Sequence, residues 1–235
     1  MNKKLLRICS AIWGVSGFVI LVSVLYPIVS YEVMAKQRYP QLLSPIVKED
    51  VTASVDSVDY TRASNWFPVA AKEEDFTSSK VSYYTVSIPV LGITDATVSI
   101  GGEDLSENLI QYPGTAVPGK TGNSVVFGHS ILPLFYDPEN YLAIFSTLDK
   151  LRKGDKIYIN YDGISYKYRV EEMFEVRPTD IGILEQNAGS SYLSLVTCTP
   201  MGDPRKPKRL IVRARLIPTT RPDSAPKQAD ANVGY

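Results

Sequence analysis

Tyr192-Leu193-Ser194-Leu195-Val196-Thr197-Cys198-Thr199-Pro200 is an apolar run that ends in a cysteine and a proline. A ten-residue loop, 199–208, carries Pro200, Gly202, Pro204 and Pro207. A second run, Arg209-Leu210-Ile211-Val212-Arg213, then opens with a cation eleven residues after the cysteine and extends to about Leu216. Short β-branched and apolar runs bounded by Pro and Gly are strand signals, so the pair reads as two strands joined by a turn-rich loop. Working back along the chain, Ser124-Val125-Val126-Phe127-Gly128-His129 is a third such run, read as a strand ending at His129, the only histidine in the sequence. Lys156 to Tyr161 and Ile164 to Val176 read as a hairpin around Asp162-Gly163. Tyr84 to Val90 and Ala96 to Ile100 alternate polar and apolar residues, the period of a half-buried strand. Pro89 marks an edge or a strand end. Helical signals are slight: one turn at Leu105 to Leu109, and a short amphipathic or 3₁₀ segment at 139–151, where Leu142, Phe145, Leu148 and Leu151 recur every third residue. Seven or eight short strands with so little helix imply an all-β fold, a closed or nearly closed β-barrel.

The strand tips hold the reactive residues. A thiolate is a nucleophile, and it needs a group that exchanges protons nearby. Cys198 and His129 supply one of each. A tetrahedral intermediate would carry an oxyanion, and arginine offers several N–H donors on a permanent charge. Arg209 starts its strand where the cysteine strand ends, if the two run antiparallel. Arg213 and Arg215 share its face further along and read as surface or ion-paired residues.

Outside the strands, Ile8 to Tyr31 holds no charged residue. As a helix these 24 residues span roughly 36 Å, enough for a hydrocarbon core of about 30 Å. Lys3, Lys4 and Arg7 precede the stretch and favour an N-terminus kept inside. Tyr26, Pro27 and Tyr31 do not resemble the small residues of a signal-peptide cleavage site. The expected organisation is a cytoplasmic 1–7, a transmembrane anchor at 8–31, a linker and possible lid at 32–80, a β-domain at 81–217 and a disordered tail at 218–235. The protein is then a single-pass membrane protein with its β-domain outside the cytoplasm. Within the linker, Trp66-Phe67-Pro68 reads as an exposed aromatic cluster, packed on the domain surface or covering the site. Cys9 and Cys198 lie on opposite sides of the membrane in this topology, so Cys198 is a free thiol in an oxidising compartment. It is either buried or used. With 25 basic and 25 acidic residues, the chain lacks the basic excess of a nucleic-acid binder.

Taken in order, Tyr112 to Gly119, Gly122 to His129, Phe145 to Asp155, Leu195-Val196-Thr197-Cys198-Thr199-Pro200 and Arg209 to Val212 resemble the sortases, membrane-anchored cysteine transpeptidases of bacterial surfaces. The signature is Leu-any-Thr-Cys with an essential Arg opening the next strand. The resemblance implies an eight-stranded barrel. It implies that Cys198 attacks a peptide carbonyl, that His129 gives a proton to the leaving amine and later accepts one, and that Arg209 holds the substrate and steadies the oxyanion. Thr197 is implied as a substrate-side hydrogen-bonding residue. The implied partners are exported proteins with a C-terminal sorting motif of the Leu-Pro-any-Thr-Gly type, and an amine from a cell-wall precursor or a pilin lysine.

Thr-Cys-Thr-Pro resembles pilin-polymerising members. Those often add a C-terminal membrane helix and an Asp-Pro-aromatic lid motif, neither of which is present in this sequence, so general wall anchoring is the favoured expectation. No cofactor is expected. Some family members bind calcium, but Glu103, Asp104 and Glu107 lack the spacing of a calcium loop and read as a solvated surface. An L,D-transpeptidase would place His close before Cys, whereas 69 positions separate His129 from Cys198. A non-catalytic surface β-domain remains the alternative, and it requires a buried, replaceable Cys198.

Overall fold

The computed structural model describes residues 3–40, 59–67, 82–186 and 189–218. Helix α1 (Lys3–Arg38) is followed by eight strands: β1 (Ser82–Ile88), β2 (Ile93–Ile100), β3 (Leu109–Gln111), β4 (Gly122–Phe127), β5 (Lys156–Tyr161), β6 (Ile164–Val176), β7 (Ser191–Thr199) and β8 (Lys208–Leu216). They close into a barrel in the order β1-β2-β3-β4-β7-β8-β6-β5. β2 pairs with β3, and β4 with β7, in parallel; the other pairs are antiparallel. The β5–β6 hairpin turns at Asp162-Gly163, both with positive φ, as an Asp-Gly turn favours.

Side-chain alternation sorts the strands into two apolar layers. Val98, Val126, Val170, Leu193, Leu195, Leu210 and Val212 fill the barrel interior. A fully buried aliphatic side chain of this size stabilises a fold by about 1.5–3 kcal/mol over its exposed state. The residues between them, Val125, Phe127, Phe174, Val196, Cys198 and Ile211, face the other way and form a second cluster with Trp66 and Phe67. Cys198 therefore belongs to the outer face of β7, beneath residues from well before the barrel.

Three local expectations change. The strand expected to end at His129 ends at Phe127, and His129 lies in the loop beyond it. Residues 139–151 form successive turns that close in a 3₁₀ segment at Leu148–Lys150, and 105–107 form turns without a helix. The linker expected from residue 32 begins as helix, because Glu32 to Arg38 consists largely of helix formers. Tyr31, Ala35 and Tyr39, at i, i+4 and i+8, are buried along this extension. Most of the expected linker, 41–58 and 68–80, and the expected tail from 219 onward lie outside the described residues. Among the described residues, the helical stretch Cys9–Arg38 is long and apolar enough to cross a membrane.

Candidate active site

Strand register brings the three predicted residues together. β4 and β7 run parallel with Phe127 beside Val196, and two steps further along each chain stand His129 and Cys198. The loop after β4 stays fastened to β7. Gly128 N donates to Val196 O (3.1 Å), Thr197 Oγ1 to Gly128 O (2.9 Å) and Ser130 Oγ to Cys198 O (2.8 Å). Gly128 is required by close approach: a Cβ there would stand within 2.6 Å of Leu109 Cδ2 and clash with the Phe145 ring. On the other side of β7, Cys198 is the register partner of Arg209 in β8. Directly opposed residues in an antiparallel pair share a face, so thiol and guanidinium sit side by side on the outer face.

Cys198 and Arg209 are buried, at 1% and 0% exposure, and His129 at 4%. Arg209 Nη1 donates to the carbonyls of Lys206 (2.9 Å) and Lys208 (3.1 Å), and Nη2 to the carbonyl of Trp66 (3.2 Å). Its guanidinium carbon lies 5.4 Å from the Tyr60 ring centre and 5.3 Å from that of Trp66, within cation–π range. Among the described residues no carboxylate pairs with Arg209, and its Nε has no hydrogen-bond partner. Held, among the described residues, by dipoles and ring faces alone, this buried cation is poised to stabilise a negative charge that forms beside it. His129 Nε2 is likewise buried without a partner. Desolvation, and next the Lys206 ammonium, push the His129 pKa down from 6.5 to about 4, so the covered imidazole is neutral near pH 7. Burial lowers the Lys206 pKa too, while charge interaction with Cys198 opposes that shift.

The segment Asp59–Phe67 lies across these residues. Trp66 stacks on Phe127 (5.3 Å between ring centres) and meets the His129 ring at 5.8 Å. Its Nε1 donates to Tyr60 O (2.9 Å). Trp66 and Phe67, which read as exposed in the sequence, are both fully buried; the correction follows from the outer-face cluster beneath them, which no local pattern reveals. The segment is held on its far side by Ala63 N to Glu103 O (3.0 Å) and Leu105 N to Thr61 O (2.8 Å). The Glu103 carboxylate accepts from Ser64 N and Oγ (3.3 and 3.2 Å). Of the acidic group, Asp104 and Glu107 are exposed as expected, whereas Glu103 serves as this attachment point. Thr197, expected near substrate, is buried with its hydroxyl engaged by Gly128 O. Arg213 and Arg215 pair with Glu172 and Glu171, each at 3.2 Å. Sequence reasoning missed Tyr60 and Lys206 and read Glu103 as solvated surface; all three enter the site through tertiary contacts.

The Sortase domain profile matches residues 84–217, more than half of the chain. The chain belongs to the sortase family. It is 29% identical over 135 residues to Sortase A of Streptococcus agalactiae, a match covering 57% of this chain and 49% of the relative. It is 29% identical over 175 residues to Sortase A of Bacillus anthracis, with 73% of each covered. The chain thus spans about half the length of the streptococcal relative. Among solved structures it resembles a Clostridium perfringens Sortase D5 transpeptidase (27% identity, TM-score 0.50, covering 62% of this chain and 93% of that one). It also resembles a pilus-related Sortase C of Group B Streptococcus (30% identity, TM-score 0.50, covering 61% and 70%). Sortases are cysteine transpeptidases, and the eight-stranded barrel with one N-terminal apolar helix agrees with that family.

Proposed function

We propose that this sortase cleaves a Leu-Pro-any-Thr-Gly-like sorting motif after the Thr and joins the resulting acyl group to an amine at the cell surface. The observation that carries the reading is the Cys198–Arg209 register pair, flanked by His129, with a buried guanidinium that among the described residues has no carboxylate partner. In the first half-reaction the Cys198 thiolate attacks the Thr carbonyl carbon, and Arg209 stabilises the oxyanion. Once the cover is displaced and its desolvation relieved, His129 takes up the Cys198 thiol proton and, as imidazolium, passes it to the leaving Gly amine, so the C–N bond breaks and a thioester remains. In the second half, the incoming amine loses its proton to His129 and attacks the thioester, and the Cys198 thiolate departs. Thr197 supports both partners by holding the His129 loop to the catalytic strand. Protein side chains supply the nucleophile, the proton carrier and the oxyanion donor, so these steps call on no cofactor or metal.

Residues 8–31 anchor the chain in the cell membrane with the barrel outside. Asp59–Phe67 acts as a cover that moves aside before substrate enters, since Trp66 occupies the face shared by all three side chains. The acceptor is a cell-wall precursor amine. A pilin lysine is the second reading, favoured by the pilus-related sortase among the structural neighbours. The test incubates the protein with Leu-Pro-any-Thr-Gly-like peptides plus either a glycine-based wall amine or a pilin-derived lysine peptide, and identifies the ligated product by mass. Ligation to the wall amine supports anchoring and ligation to the lysine supports polymerisation. With neither product and no cleaved peptide, the transpeptidase reading fails.

A further inference from the structure

The outer end of α1 is joined to the strands that carry the reacting side chains. Glu175, in β6, is a buried carboxylate at 2% exposure. Its Oε1 accepts from Tyr31 Oη of α1 (2.9 Å) and from Thr199 Oγ1 of β7 (3.1 Å), and its Oε2 from Lys208 Nζ of β8 (3.1 Å). Lys208 also pairs with Glu32 of α1 (3.5 Å). Glu175 N donates to Pro40 O just beyond the helix (3.4 Å). Thr199 and Lys208 are register partners, the pair next to Cys198 and Arg209. Lys208 O in turn accepts from Arg209 Nη1.

A buried carboxylate is tolerated only while it is paired and hydrogen-bonded. Here the donors come from three elements at once, so satisfying Glu175 fixes where β7, β8 and α1 stand relative to one another. We propose that Glu175 is a positioning residue for transpeptidation, and that through it Tyr31 of the anchor helix helps set the geometry of Cys198 against Arg209. This rests on the transpeptidase reading above. The charge-free stretch of α1 ends at Tyr31, so the same contact holds the catalytic end of the β7–β8 pair at the level where the anchor leaves the membrane. In this view the helix is part of the catalytic unit as well as a tether.

The test uses the full chain in lipid nanodiscs and measures kcat and KM for peptide ligation, with the melting temperature followed in parallel. Tyr31→Phe removes one hydroxyl and leaves the helix face otherwise intact. It is expected to lower kcat about fivefold to tenfold with KM within about twofold, the signature of disturbed reacting geometry with substrate binding retained. Glu175→Gln leaves Lys208 without its buried partner and is expected to lower kcat further, and Lys208→Met added to Glu175→Gln is expected to restore part of it. Tyr39→Phe loses a hydroxyl that donates to Asp149 O (3.2 Å), away from the Thr199–Lys208 pair, and should keep wild-type kcat. If Tyr31→Phe and Glu175→Gln lower the melting temperature but leave kcat unchanged, the network is merely structural and the inference is overturned. A wild-type chain that never ligates peptide overturns the transpeptidase reading, and this inference with it.

Discussion

At the scale of single residues, Arg209 is the most constrained. Two of its nitrogens are committed to three backbone carbonyls, its faces lie near two aromatic rings, and Nε has no partner. A lysine keeps the charge but lacks the planar fork that meets the carbonyls of Lys206, Lys208 and Trp66 together. Arg209→Lys is therefore expected to lower kcat by about 100-fold, the order seen when an oxyanion donor is lost, with the barrel still folded by circular dichroism. His129 gives a second prediction. Its pKa is depressed towards about 4 in the covered site, so the uncovered site binds its proton more readily. The covered arrangement is then fully favoured above about pH 6.5 and loses stability as pH falls towards about 4. Hydrogen exchange at residues 59–67, corrected for the intrinsic rate, should show protection falling across that window, and a pH-independent protection would contradict it. Cys198, His129 and Arg209 were legible in the sequence because each is rare or sits at a strand tip. Glu175 was not, because it is one acidic residue among several in β6, and its partners lie 24, 33 and 144 positions away.

At the scale of elements, β7 and β8 form the frame. Their register opposes Cys198 to Arg209 and Thr199 to Lys208, while β4 delivers His129 through a parallel pairing that sequence order alone does not reveal. The runs themselves were readable from alternation and from the Pro- and Gly-rich loops between them, and β5–β6 from Asp162-Gly163. The turns of 139–151 were less readable, since apolar positions three apart fit a helix and a chain of turns equally well. For the covering segment the aromatic pair was legible as a candidate cover, but its full burial was not: Trp66 and Phe67 are buried by Phe127 and its neighbours, and no feature of 59–67 encodes that contact. Trp66→Ala removes the stack on Phe127 and the contact with His129. It is expected to raise the rate of Cys198 alkylation by iodoacetamide about tenfold or more, since a buried thiol reacts only through an open state. An unchanged rate would show that Asp59–Phe67 does not govern access.

At the scale of the whole molecule, the candidate site lies on an outer strand face of the barrel, beneath a segment supplied by the chain between α1 and the barrel, and α1 ends against the same strands. All-β class, barrel closure and the apolar helix were legible from periodicity and composition. The docking of Tyr31, Ala35 and Tyr39 was not, because Glu32 to Arg38 looked like the start of a linker once charges appeared. The proposed reaction requires Cys198 to form an acyl-enzyme beside Arg209 and His129. It is tested most directly by intact-mass spectrometry of the protein after exposure to a Leu-Pro-any-Thr-Gly-like peptide pool without an amine acceptor. The expected result is a mass increase equal to the peptide's acyl part, released by hydroxylamine, absent in Cys198→Ala and slow to form in Arg209→Ala. An unmodified protein in both the wild type and the uncovered Trp66→Ala variant, with a thiol that does not react with iodoacetamide in either, would contradict it and mark Cys198 as a structural cysteine.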